Sequence, residues 1–590
     1  MMHRIGSFLE DPRMKLLRRW TLYGVLIGIV SGIGAVIFYG LLSLVAHYTL
    51  GGIAGYYPVP PAGEAPLFAE ESGGSLNRLF LLVIPAFGGL ISGVIVYTFA
   101  PETEGDGTDA MIEAYNHKRG IIRRRVPIVK SIASAITIGT GGNAGREGPI
   151  TQIGAGFGSA LADRLSLSDR DRRMMVLCGS GAGLASIFRA PFGGVLFALE
   201  ILYQRDIEME AIIPAFVSSA VGYSVFTYVF GWGSLFRTPD FVFSHPSELL
   251  FHGALGLICA GVGILYVKTF HGMRKRVFKP LRIKNHYKPA VGGLAIGVMA
   301  YFYPDILGTG YGLIQGAIDG ELVLSTLLLL LMLKILAISF TVGSGGSGGL
   351  FAPTLVVGAM LGGAFGTVAH ELFPGLIPQP ASFVLVGMAA MLAGVAKIPI
   401  TAIVIVSELT GSYHLLAPLM LASTAAYALT GSVSLYEKQV PTRADSPAHR
   451  KELTVNILET ITVGRAMDTN IITVSPEKPV RMILDLVYTY GHRGYPVVKD
   501  QKLIGIITVE DVGKVPAEER NTRTIGEIMT RNVITATPDE TLEVAHKRLI
   551  KHDIGRLPVV LKDDPERMVG MLTRSDIIRM HAKISSQLAR

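Results

Sequence analysis

Cysteine is nearly absent: Cys178 and Cys259 are the only two in 590 residues, and both lie in apolar segments. A disulfide framework and a thiolate metal cluster are excluded on that ground alone. Charge is scarce too, at 17% of residues, against about 25% in soluble domains. Also lacking are a metal-ligand cluster, a nucleophile with a paired base and a phosphate loop with its lysine, so no enzyme chemistry is expected and no metal or cofactor is required. The net charge of +8 does not point to nucleic acid, because much of the excess flanks apolar segments.

What the chain has in quantity is apolar surface. Hydrophobic residues make up 49% and the mean hydropathy is +0.44, so membrane lipid is one of its solvents. Uncharged stretches of spanning length recur at 20–47, 80–100, 211–236 and 249–267, each enough for about 20 helical residues. The runs 150–162, 174–188 and 382–395 are shorter and broken by glycine, as expected where helices stop inside a membrane to form a site. Arg13, Lys15, Arg18 and Arg19 precede the first span, and Lys118, Arg119 and Arg123 to Arg125 fill a later loop. The positive-inside rule puts both in the cytoplasm. A multi-pass protein of the cell's inner membrane with both termini cytoplasmic is the expectation. The first run is too long for a cleaved signal, and no small-residue cleavage site follows it.

After Tyr436 the composition changes abruptly to a charged stretch and then a mixed segment that runs to Arg590. The expected organisation is a terminal segment 1–19, a membrane domain 20–440, a linker 441–461 and two tail units, 462–518 and 524–590. The tail units repeat: Gly464, Met467, Pro476 and Pro496 recur as Gly526, Met529, Pro538 and Pro558, a constant offset of 558 − 496 = 62. The membrane part repeats as well. Gly141-Gly142-Asn143-Ala144-Gly145-Arg146-Glu147-Gly148-Pro149 aligns with Gly345-Gly346-Ser347-Gly348-Gly349-Leu350-Phe351-Ala352-Pro353 at an offset of 353 − 149 = 204. Arg189-Ala190-Pro191 and Lys397-Ile398-Pro399 each lead into an apolar helix with a glutamate nine positions after the proline, Glu200 and Glu408. Two halves with matching breaks place a site between them, near mid-membrane; the offset alone does not say whether the second half is inverted.

A glycine turn that leads through proline into an apolar helix is an anion-binding device, because the first-turn N–H groups have no intrahelical partner. They amount to about half a positive charge. Two such starts facing one another hold a dehydrated anion weakly, which is what throughput needs.

On these motifs the chain resembles the CLC family of chloride channels and chloride/proton exchangers. Gly145-Arg146-Glu147-Gly148-Pro149 is similar to that family's GREGP signature, Gly349-Leu350-Phe351-Ala352-Pro353 to its GxFxP signature, and Tyr436 to its pore tyrosine. The resemblance implies an α-helical polytopic membrane protein of two inverted repeats, a homodimer with one pore per subunit, and a cytosolic α/β tail that resembles a CBS domain pair. It implies chloride or a similar anion as substrate, with Glu147 as the gating carboxylate. The expected anion site comprises Asp106, Gly107, Thr108, Gly145, Arg146, Gly148, Gly349, Leu350, Phe351, Ala352 and Tyr436, with Arg146 more a structural partner than an ion ligand.

Two positions depart from the family pattern. Its GSGIP segment corresponds to Gly105-Asp106-Gly107-Thr108-Asp109, so aspartates replace the anion-binding serine and the proline. A carboxylate about 4 Å from an anion repels it by about 4 kcal/mol at an effective dielectric near 20. Asp106 is therefore expected to be protonated, turned from the pore, or replaced in its role by the Thr108 hydroxyl. The aspartates also leave room for a CBS-regulated transporter of another ion. After Glu200, where exchangers place a proton-receiving glutamate, the chain has Ile201. That leans the expectation towards passive or proton-uncoupled conduction, with a proton path through Glu200 as the alternative.

In the tail, helices are expected from near Pro479 and Glu540, and strands at 496–498, 558–560, 503–508 and 568–573. Thr508, Asp511, Thr573 and Asp576 are the candidate contacts for an adenosine nucleotide, ATP, ADP or AMP; the competing expectation is that they only cap helices.

Overall fold

A computed structural model describes residues 12–68, 76–241, 245–449 and 458–588. The chain divides into two compact units, Met1–Ala448 and His449–Arg590.

The first unit is helical. A long helix, α1 (Pro12–Ala46), is followed by α2 (Arg78–Phe99), α3 (Thr108–His117), α4 (Val126–Gly139), α5 (Glu147–Arg164), α6 (Asp169–Phe188), α7 (Pro191–Glu200) and α8 (Ile212–Phe230). A second long helix, α9 (Glu248–Gly272), then precedes α10 (Lys288–Phe302), α11 (Tyr311–Ile318), α12 (Leu324–Thr341), α13 (Phe351–Leu372), α14 (Ser382–Ala396), α15 (Pro399–Thr410) and α16 (Leu416–Leu429). The series α2 to α8 and α10 to α16 match element for element. Even the short 3-10 turns after α2 and α10, Pro101–Thr103 and Pro304–Ile306, correspond.

Matching elements pack on one another: α2 on α10, α5 on α13 and α7 on α15. Their contacts are reciprocal. The Gly145 amide donates to the Gly349 carbonyl at 2.8 Å and the Gly349 amide to the Gly145 carbonyl at 2.7 Å, an antiparallel bridge. Glu200, at the end of α7, accepts from the amides of Ile400 (3.2 Å) and Thr401 (2.8 Å) in the first turn of α15. Glu408 in α15 accepts from Phe192 (3.1 Å) and Gly193 (2.7 Å) in the first turn of α7. What the first half gives the second, the second returns, as a two-fold axis requires, and the second half is inverted relative to the first.

Among the described residues, six helical stretches are long and apolar enough to cross a membrane, including 324–341 and 351–372 beyond the four runs picked out in the sequence. The stretch 351–372 is 83% buried while the other five are 39–50% buried, so α13 lies inside the protein and the rest present apolar side chains such as Leu22, Ile37, Phe87 and Leu250 outward. The run expected to reach residue 236 stops as a helix at Phe230, because Gly231 takes φ +87° and leaves the right-handed helical region.

The second unit contains two βα copies. Copy one has α17 (Val463–Ala466), α18 (Arg481–Tyr490), β1 (Gly494–Lys499), β2 (Lys502–Thr508) and α19 (Val509–Gly513); copy two has α20 (Ile525–Ile528), α21 (Leu542–Lys551), β3 (Arg556–Val560), β4 (Met568–Thr573) and α22 (Arg574–Leu588). Each forms an antiparallel pair, β1 with β2 and β3 with β4. Ahead of each first helix the chain joins its copy's sheet by a parallel bridge alone, Val474 to Val497 and Ala536 to Val559. The copies exchange their leading segments: the Gly464 amide donates to the Pro538 carbonyl and the Gly526 amide to the Pro476 carbonyl, both at 2.9 Å. Each core borrows from the other copy, Ile461 and Val463 packing with Leu542 and Leu557, and Ile525 and Met529 with Ile483 and Val497.

Candidate functional site

The two glycine loops meet at a point where no side chain would fit. A Cβ on Gly349 would stand 2.7 Å from the Gly148 amide nitrogen, and one on Gly148 would stand 2.3 Å from the Asp106 carbonyl oxygen. The third loop joins through the Gly348 amide, which donates to the Gly105 carbonyl at 3.0 Å. From this knot α5 and α13 depart, each with proline as its third residue, Pro149 and Pro353. Proline suits the first turn, where an N–H would lack a partner in any case. Among the described residues no backbone carbonyl takes the amides of Glu147, Gly148, Phe351 or Ala352. At the start of both helices lies a buried place towards which the Glu147 and Ala352 amides are turned; Leu350 and Phe351 are each 2% exposed.

The carboxylate of Glu147 stands there, 1% exposed and closest to its own amide and that of Ala352. Oε1 accepts from the Tyr311 hydroxyl, and Arg146 Nε lies 3.9 Å away. Oε2 has no well-formed hydrogen bond, so one oxygen of a buried carboxyl group is left short of partners, a condition that costs free energy. A Cβ on Gly145 would come within 2.2 Å of this oxygen. The far end of the Arg146 side chain is engaged elsewhere, donating to Glu64 at 2.8 Å with its guanidinium 5.1 Å from the ring centres of both Tyr39 and Tyr311. Glu64, Arg146 and Tyr311 line a cavity of about 180 Å³ on one side of the site.

A larger cavity of about 930 Å³ approaches from the side of Lys118, Arg119 and Arg123, and reaches Asp106 and Leu350. Asp106 Oδ2 accepts from the Thr108 amide at 3.0 Å, in the first turn of α3. Gly107, with φ +93°, caps that helix. The Thr108 hydroxyl lies within reach of both the Asp106 carboxylate and the Tyr436 phenol. Tyr436 is 2% exposed, and its turn is tied down on several sides. The Leu435 amide donates to Val395 at 2.9 Å, Gln439 donates to the carbonyls of Ile201 and Ala396 at 3.0 and 2.9 Å, and Asp109 accepts from the amides of Glu437 and Lys438 at 3.3 and 3.0 Å. Asp109 therefore holds the tyrosine's turn rather than facing the ion space.

The structure thus brings the loops of Asp106, Gly145 and Gly349 together with Tyr436. Glu200 is bonded instead to α15, its Oε2 also accepting from the Thr401 hydroxyl at 2.5 Å, and Ile201, fully buried, meets the Tyr436 turn through its carbonyl. Tyr311 and Glu64 are absent from the sequence-derived set. The signal for Tyr311 was there, since Gly308-Thr309-Gly310-Tyr311 repeats Gly105-Asp106-Gly107-Thr108, but at 308 − 105 = 203, one short of the offset of the main motif.

In the tail, Thr508 and Asp511 engage each other. The Thr508 hydroxyl donates to Asp511 Oδ2 at 2.8 Å, the Thr508 amide to the same oxygen at 3.1 Å, and Lys514 to Oδ1 at 3.0 Å. Thr573 and Asp576 repeat the arrangement, with hydroxyl and amide donating at 2.6 and 3.0 Å. Burial pushes the Asp511 carboxyl up, but the Thr508 and Lys514 donors outweigh it and hold it below the ordinary range.

The family model described as voltage gated chloride channel matches residues 88–431, and the CBS domain model matches 463–517 and 525–583. A putative chloride channel protein ClcB-like from Ralstonia nicotianae is 32% identical over 371 residues, 62% of this chain and 86% of the relative. The H(+)/Cl(-) exchange transporter ClcA of Cronobacter sakazakii is 30% identical over 406 residues, 67% of this chain and 83% of the relative. The crystal structure of a slow cyanobacterial Cl-/H+ antiporter is alike in fold, with a TM-score of 0.63 at 24% identity over 71% of this chain and 96% of that one.

Proposed function

Because the chain belongs to the voltage-gated chloride channel family and carries a CBS domain pair, we propose that it transports chloride or a similar small anion across a membrane, through a pore in each subunit of a homodimer, with Glu147 as the gate. The observation that carries this reading is the Gly145–Gly349 bridge, which aims the bare amides of α5 and α13 at one buried space that the Glu147 carboxylate occupies. A carboxylate bound where the ion binds is a tethered competitor. Protonation, or displacement by an incoming anion, frees the donors; the Tyr311 hydroxyl and Arg146 hold the carboxylate in place until then. The mouth on the Lys118 and Arg123 side is the cytoplasmic one, as the basic loops require.

Transport is passive or proton-uncoupled in this reading, since Ile201 offers no exchangeable proton and the Glu200 carboxylate is engaged by α15. The alternative, anion/proton exchange, is favoured by the exchange activity that the Cronobacter relative's name states. Full-length protein in liposomes discriminates. Chloride or nitrate flux without potassium flux, raised in Glu147→Gln and made insensitive to acid, is the expected result; potassium flux, or no anion flux in either protein, overturns it. Stoichiometric uphill proton movement driven by a chloride gradient replaces the passive reading with exchange.

The tail is assigned an adenosine nucleotide, ATP, ADP or AMP, at the Thr508–Asp511 and Thr573–Asp576 helix starts, where a ribose or phosphate would share donors now used for capping. Calorimetric heat with one of these nucleotides, lost in Asp511→Ala and Asp576→Ala together, is the expected outcome.

A further inference from the structure

The two halves carry one loop design twice. Gly105 and Gly107 before α3 take φ +72° and +93°, and Gly308 and Gly310 before α11 take +64° and +80°. A fully buried lysine backs each loop: Lys130 donates to the carbonyls of Thr103 (3.1 Å) and Gly105 (2.7 Å), and Lys334 to that of Ile306 (3.0 Å). The copies differ in what sits between the glycines. The second has the neutral Thr309, whereas the first has Asp106, 6% exposed, resting on the Thr108 amide at the inner end of the larger cavity.

That amide is a first-turn donor of α3, the kind of group a mobile anion seeks. Lys130 stands behind the loop without a direct ion pair to Asp106, and two of its three N–H groups are committed to carbonyls. Asp106 is thus held by the first-turn donors of α3, and not pinned by a contact salt bridge that would immobilise it. Gly148, in the first turn of α5, packs against the Asp106 carbonyl, and Leu350 lines the same cavity as Asp106.

We propose that Asp106 is a second gate, at the mouth that the larger cavity feeds: Asp106 and Glu147 are tethered carboxylates closing opposite ends of the anion path, and an anion entering from the larger cavity must displace Asp106 from the Thr108 amide. This rests on the anion-transport reading above.

The test uses full-length protein in planar bilayers, with chloride varied on one face at a time. Asp106→Asn keeps an oxygen for the Thr108 amide and removes the charge. Its half-saturating chloride on the Asp106 face is expected to fall roughly tenfold or more, the shift that one unit charge a few ångström away produces in a protein interior, while the dependence on the Glu147 face stays that of the wild type. Asp106→Ser is expected to do the same. Wild-type dependence in both variants overturns the proposal, as does loss of function in Asp106→Ser alone, which marks Asp106 as a staple of its loop. Glu147→Gln is the control: if it raises anion flux while Asp106→Asn changes nothing, only the second gate fails, and if neither it nor the wild type passes an anion, the transport reading fails as well.

Discussion

Glu147 is held by residues from both halves: its own helix start and Arg146 from one, Tyr311 and the Ala352 amide from the other. A hydrogen bond to a charged acceptor contributes about 1.5–3 kcal/mol, so on the proposed gating reading the Tyr311 hydroxyl would set how firmly the carboxylate competes with the ion. Tyr311→Phe is expected to lower the half-activating anion concentration by roughly tenfold or more at fixed pH, and to have no effect in a Glu147→Gln background; flux assays on the two variants and their combination check it. The sequence made Glu147 and the glycines legible because their positions follow from sterics: a backbone that must touch another backbone admits only glycine, and a helix start needs its proline. Tyr311 was not legible by that logic. Its partner in the repeat is a threonine, so only the alternating glycines mark the loop, and the one-residue slip in offset hides them.

At the scale of elements, α7 and α15 are fastened by their own glutamates, each closing the other's exposed amides. The sequence showed both glutamates at matching places but not what they touch, because a cap supplied from a distant segment leaves no local pattern. Glu200→Gln and Glu408→Gln each retain size and lose charge at a helix start, and each is expected to destabilise the membrane unit by roughly 1 kcal/mol, additively since the two contacts are separate. Thermal unfolding in detergent reads this. A cap also predicts unchanged anion flux in Glu200→Gln; if proton movement vanishes there instead, Glu200 lies on a proton path. Asp109 belongs to the same class. Its carboxylate holds the amides of Glu437 and Lys438, so Asp109→Ala is expected to loosen the Tyr436 turn and weaken anion binding without altering which ions pass, a separation that dose dependence and selectivity measured together will show.

Over the whole molecule, repeats carried most of the information. Offsets of 204 in the membrane unit and 62 in the tail disclosed both internal symmetries, while the sense of the first symmetry emerged only from the exchanged bonds. Periodicity overran at 211–236, where a glycine's backbone angle, not its hydropathy, ended the helix. In the tail, acid sensitivity follows from carboxylates whose charged form is favoured by folding. The Ser475 hydroxyl and the Lys499 ammonium bring Glu477 down from an ordinary 4.5 to about 2, and Asp511 is also lowered. Their contribution is complete above the ordinary carboxylate range and fades as pH falls from there toward 2. Protection factors across residues 475–513, taken relative to the intrinsic exchange rate at each pH, are expected to fall over that interval, less steeply in Glu477→Gln.

Every wall of the ion space is furnished by a different stretch of chain, and the last to be synthesised is the turn around Tyr436. On the proposed transport reading, a nascent polypeptide that has threaded only its first half into the lipid owns one set of amides and no opposing set, and its anion path is completed only when the turn around Tyr436 has left the ribosome.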